Sequence, residues 1–142
     1  MAIGQTQTTT FKLNLLKALE NFNVGTPYTY KIALYTANAT LNETTTAYTT
    51  EGEITGTGYV AGGKNLTITG LGSDTTNNTA YVSFVDVTWS PANFTTAGAL
   101  IYNSTTNAAV CVLNFGSDKT ATSTFTITFP SATSTTAVLR IN

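Results

Sequence analysis

From Tyr30 almost to the last residue, short apolar or alternating runs recur between clusters of turn-forming residues, and nothing else in the chain restricts the fold as much. The runs are Tyr30–Tyr35, Leu66–Thr69, Ala80–Trp89, Ala97–Tyr102, Ala108–Phe115, Thr124–Phe129 and Ala137–Ile141. In TFTITF, Phe125, Ile127 and Phe129 fall on one side and Thr124, Thr126 and Thr128 on the other, the period-2 pattern of a strand with one buried and one wet face. Between two apolar runs, NSTTNA at 103–108 reads as a hairpin connection, and Pro91 and Pro130 close the strands before them. Regular recurrence of this kind predicts a mainly β fold, an antiparallel β-sandwich of Ig-like or jelly-roll-like type.

The stretch Tyr30–Asn65 organises the chain. Ile32 and Leu34 point one way and Lys31, Ala33 and Tyr35 the other, so a half-buried strand begins here. Thr36 to Thr50 is then a long Thr-, Asn- and Ala-rich excursion, read as a surface loop. Gly56, Gly58, Gly62 and Gly63 follow within eight residues and mark sharp turns or close backbone approach.

One helix is predicted, over about residues 9–23. Phe11, Leu15, Leu16, Leu19 and Phe22 fall at helical spacing, with Lys12, Asn14, Lys17, Glu20 and Asn21 on the opposite face. A threonine caps its start, and Gly25 followed by Pro27 is its expected stop. Residues 1–8 read as a polar arm anchored only by Ile3, and residues 9–142 as a single β-sandwich domain. Ile3, Phe11, Leu15 and Leu19 are the candidate interface residues, the alternative being that this helix face covers the protein's own sheet.

Composition narrows the function. Only 9% of residues are charged, against about 25% in typical soluble domains. Short hydroxyl and amide side chains replace them, giving a surface with little charge repulsion and little rotamer entropy to lose on contact. That suits a protein packed among many neighbours. The six basic residues, Lys12, Lys17, Lys31, Lys64, Lys119 and Arg140, are scattered and the net charge is −1, so neither nucleic acid nor an anionic membrane is an expected partner. No apolar run reaches the ~18 residues of a membrane-spanning helix, and MAIGQTQTTT lacks the basic and apolar regions of an export signal. Cys111, alone in AAVCVLNF, reads as a small core hydrophobe.

Chemical motifs fail on context. Gly56, Gly58 and Ala61 satisfy G-x-G-x-x-A, and Gly58, Gly63 and Lys64 satisfy G-x-x-x-x-G-K, but a strand-like NLTITG follows where phosphate binding needs a helix N-terminus. There is no histidine. Glu51 and Glu53 would share a face if extended, as a glycosidase pair could, and a solvated edge is the simpler reading. GSDTTNN around Asp74 offers oxygens but lacks the spaced carboxylates of a calcium loop. No catalytic residue, cofactor or metal is expected, and the N-x-S/T triplets carry no weight in so Asn- and Thr-rich a chain.

Two blocks, YKIALYTANATLNETTTAYTTEGEITGTGYVAGG and VTWSPANFTTAGALIYNSTTNAAVCVLNFGSDKTATSTFTITFP, resemble a family of small virion structural proteins of tailed bacteriophages. With the helix and the closing AVLRIN the resemblance covers nearly the whole chain, through KIALYT, GTGYVAGG, WSPANFTTAGALIY and the FGSDK turn. It implies a non-enzymatic β-sandwich component of the virion, assembled in the host cytoplasm. A capsid decoration (cement) protein is the first reading, bound in many copies to the major capsid protein or another virion protein and itself a homo-oligomer, a trimer among the options. A tail or adsorption component that binds a receptor or carbohydrate is the second. Exposed Tyr81, Trp89 or Tyr102 beside Asn or Asp would favour the sugar-binding alternative; burial would favour a scaffold role.

Overall fold

The computed structural model of the protein describes residues 2–25 and 27–142. Its elements, in order, are β1 (Thr6–Gln7), α1 (Thr9–Leu16), β2 (Tyr30–Tyr35), β3 (Lys64–Asn65), β4 (Ile68–Asp74), β5 (Thr79–Phe84), β6 (Val87–Trp89), β7 (Phe94–Asn103), β8 (Ala108–Ala121), β9 (Phe125–Ile127) and β10 (Leu139–Ile141). Strands pair antiparallel into a five-stranded sheet, β1-β8-β7-β2-β3, a three-stranded sheet, β10-β5-β4, and a ribbon, β6-β9. Tyr30, Ile32 and Leu34 of β2, Ile101 of β7 and Val110 of β8 share one core with Val82, Phe84, Val87, Trp89, Ile127 and Leu139 of the smaller sheets. The expected mainly β, sandwich-like architecture with one short helix is therefore present.

The centre of the five-stranded sheet, β2 with the adjoining parts of β7 and β8, is buried on both faces, and this corrects the reading of β2 as half-buried. Ala33 and Tyr35 face a second core with Leu100, Tyr102, Ala109 and Val112, closed from outside by Ile3, Ala39, Leu41 and Tyr48. The Thr-rich excursion is thus a covering layer. Its backbone polar groups are matched by pairing at three places. Leu41 exchanges hydrogen bonds with Ala2 and Gly4, Thr46 and Tyr48 pair with Ala109 and Asn107, and Gly52 and Ile54 pair with Thr36 and Leu34. Glu53 anchors the layer's return, accepting hydrogen bonds from the Tyr48 hydroxyl (2.6 Å), the Tyr59 hydroxyl (2.6 Å) and the Gly62 amide (2.7 Å).

The glycine cluster serves close approach. Gly63 has φ +77°, and a Cβ there would lie 1.7 Å from the carbonyl oxygen of Ile32 in β2; at Gly58, φ +85°, it would lie 1.8 Å from that of Pro91. Only a residue without Cβ fits either place.

Three expectations are displaced. The run Ala80–Trp89 divides into β5 and β6, which belong to different sheets, and Asp86 between them accepts the Phe129 amide at 2.9 Å. The arm is no free arm: Thr6 and Gln7 pair with Val112 and Cys111. The helix ends at Leu16, about two turns earlier than expected. Ala18 takes φ +57°, its amide donates to Leu15 O and that of Leu19 to Asn14 O, so the last carbonyls are closed by a Schellman turn with alanine where glycine is usual. Glu20, assigned to the solvent face of that helix, lies beyond it and is only 8% exposed.

Candidate interaction surface

Helix α1 begins where β1 ends. The Thr8 hydroxyl oxygen accepts the Phe11 amide at 3.0 Å and donates to the Ala109 carbonyl at 3.0 Å, capping the helix and tying it to β8. This fixes which face turns inward. Phe11 is 1% exposed and Leu15, one turn on, is half-buried against the same core. Leu13 and Leu16 then face out, 48% and 87% exposed, followed by Leu19 at 42% and Val24 at 91%.

Of the four candidate interface residues, two are consumed by the protein itself. Ile3 is buried beneath the excursion, paired through a bridge to Leu41, and Phe11 lies in the main core. Each has already given up its apolar surface to this chain, so neither offers a contact. Leu15 keeps a partial surface and Leu19 is open. Sequence spacing placed Leu16 inside and passed over Leu13, because a helix ending at Leu16 has too few turns to define a stripe. Leu71 and Ile141, 51% and 43% exposed, lie on β4 and β10, and no signal in their strand patterns marks them as outward-facing.

Two shallow grooves run beside this helix. One, of about 480 Å³, is bordered by Lys12, Leu15, Leu16, Arg140 and Ile141; the other, of about 150 Å³ and almost wholly apolar, lies over Phe22, Leu71 and Leu139. They meet at Leu15 and Ile141. A grouping of large exposed aliphatic side chains beside a groove is a protein-contact feature.

The other candidate sites do not converge on chemistry. Glu53 is held by its two tyrosines and Gly62, while Glu51 is exposed on a turn with its amide bonded to Thr49. Asp74 is drawn below the usual carboxylate range by Ser134 and Asn77, and its oxygens also accept the amides of Thr76 and Asn77, closing its own loop. Among the described residues no three acidic, cysteine or histidine side chains gather as a metal site. Gly63 leads into β3, whose Lys64 ammonium donates to Thr88 O and sits 5.7 Å from the Trp89 ring centre. Burial pushes the Cys111 thiol up to about 12, which leaves it unreactive. Trp89 and Tyr102 are buried at 1% and 3% exposure, and Tyr81 is half-buried beside Gly72. Comparison with family models, curated proteins and solved structures gave no match for this chain.

Proposed function

We propose that this protein is a non-enzymatic structural component of a tailed-phage virion, a capsid decoration protein that seats on the head lattice in many copies. The observation that carries the docking role is the exposed aliphatic set of Leu13 and Leu16 on α1 and Leu19 and Val24 in the segment that follows it, in a chain with only 9% charged residues. The sequence resemblance supplies the virion. Burial of Trp89 and Tyr102 supports a scaffold over a sugar-binding platform, which needs an exposed ring, and so favours the head over the receptor-binding alternative. The partner is the major capsid protein or another virion protein, and self-association, including a trimer, fits the same surface.

Burying one aliphatic side chain contributes about 1.5–3 kcal/mol, or roughly ten- to a hundredfold in affinity per copy. Leu16→Glu removes that contribution from a position 87% exposed and leaves the fold intact. Added to heads lacking the protein, the variant is expected to bind at least about tenfold more weakly with an unchanged melting temperature. Wild-type binding should survive about 0.5 M salt, since screening acts on ionic contacts. Equal binding by Leu16→Glu, or release of wild type by salt alone, would overturn the proposal.

A further inference from the structure

The most unusual polar group in the molecule is Glu20. It is 8% exposed, and its Oε2 accepts the Tyr30 hydroxyl at 2.8 Å and the Asn103 amide nitrogen at 3.2 Å. Its Oε1 is buried with no hydrogen-bond partner among the described residues. No lysine or arginine is among its partners. The groups that face it are Asn14 from α1, Tyr30 from β2 and Asn103 from β7, with Tyr28, just before β2, acting on Tyr30.

The segment carrying Glu20 closes on a single hydroxyl. Tyr30 donates to Glu20 and accepts the backbone amide of Asn21 at 3.0 Å, while Phe22 stacks on the Tyr30 ring at 4.4 Å and reaches the core beside Phe11 and Phe84. Beyond the Schellman bond of the Leu19 amide, Leu19–Asn23 is thus a strap held by one carboxyl group, one phenol and one ring. A neutral carboxyl group suits the site: its carbonyl oxygen takes both donors, and only an uncharged hydroxyl goes unmatched. An ionised one buries a charge with half its acceptor capacity unmet, a far larger penalty.

We propose that Leu19–Asn23 is a pH-sensitive strap, latched onto Tyr30 and Asn103 while Glu20 is neutral and released when Glu20 ionises. Desolvation raises the Glu20 pKa above its ordinary 4.5, with the bonds from Tyr30 and Asn103 and the nearby Asn14 amide opposing the shift in part. For an acid raised in the folded state, the stabilisation is complete below about 4.5 and is lost as pH climbs through the folded value. The latch therefore opens on the alkaline side. Opening exposes Phe22 and moves Leu19, so the apolar surface beside α1 changes with pH.

Amide hydrogen exchange of the full chain tests the latch, read as protection factors so that the intrinsic pH dependence of exchange is removed. The reporter is the Asn21 amide, bonded to the Tyr30 hydroxyl; the control is the Leu66 amide, bonded at 2.8 Å to the Tyr30 carbonyl. Between pH 4 and pH 8, Asn21 protection should fall by about tenfold for each unit by which the folded value lies above 4.5, with Leu66 unchanged. Glu20→Gln, which cannot ionise, should hold Asn21 protection constant over the range. Constant Asn21 protection in the wild type, a fall shared equally by Leu66, or the same fall in Glu20→Gln would overturn the proposal. If Glu20→Gln does not fold, the wild-type contrast between Asn21 and Leu66 decides alone.

Discussion

Gly63 and Gly116 offer a matched pair of substitutions that measures how closely the glycine cluster approaches the central strand. Both have left-handed backbones, φ +77° and +82°, so alanine costs roughly 1–2 kcal/mol at either for that conformation. Surroundings differ. At Gly116 an added Cβ meets nothing within 4 Å, whereas at Gly63 it meets the Ile32 oxygen at 1.7 Å, the Ile32 carbonyl carbon at 2.6 Å and the Ala33 Cα at 2.8 Å. These are backbone atoms of β2, whose Ile32 and Ala33 are fully buried, so the turn must retreat by more than about 1 Å. Retreat breaks the two-residue pairing of β3 with β2 and the 2.7 Å bond from the Tyr102 hydroxyl to Gly62 O. At about 1 kcal/mol for each bond lost, Gly63→Ala is expected to cost about 3–5 kcal/mol and Gly116→Ala about 1–2 kcal/mol. Urea denaturation followed by fluorescence of Trp89, the chain's one tryptophan and 1% exposed, gives both values on one scale. Equal losses for the two variants would refute the close-approach account of Gly63.

Two further outcomes follow from the N-terminal region. Ala18→Gly relieves an alanine held at φ +57° in the Schellman turn and should stabilise the protein by about 0.5–1 kcal/mol in the same assay; a loss would mean that the turn is not as described. Deleting residues 1–7 removes buried Ile3, strand β1 and the bonds that Gln5 and the Ile3 carbonyl make with Asn114, so it should lower the melting temperature by several degrees, and an unchanged transition would show that the segment is dispensable.

The strands were legible in the sequence because their side chains alternate: Phe125, Ile127 and Phe129 point inward and Thr124, Thr126 and Thr128 outward, with NSTTNA turning between β7 and β8. Where long-range packing overrides local pattern, legibility ends. Thr36–Thr50 is polar enough to read as a loop, and its role as a cover depends on Ala39, Leu41 and Tyr48 meeting β2 and β7, a pairing that no local rule encodes. Spacing alone extends the helix past Leu16, because its stop is Ala18 in a left-handed conformation that glycine usually takes and Gly25 marks the expected boundary instead. That error put Glu20 on a solvent face and Leu16 in the core, the reverse of their places. Of the interface candidates, Leu15 and Leu19 keep open surface, whereas Ile3 and Phe11 are spent inside the fold, since spacing alone does not say which apolar residues a short helix uses first.

The docking proposal rests on many copies sharing a lattice, and counting copies in the particle tests it most directly. Quantitative mass spectrometry of purified virions carrying this protein, separated into heads and tails, gives its ratio to the major capsid protein. A decoration role predicts that the protein stays with the heads at a fixed lattice stoichiometry, of the order of one copy per capsid subunit, with avidity from many shared contacts holding it there. Recovery with the tails at a few copies per particle, or absence from the particle, would contradict it.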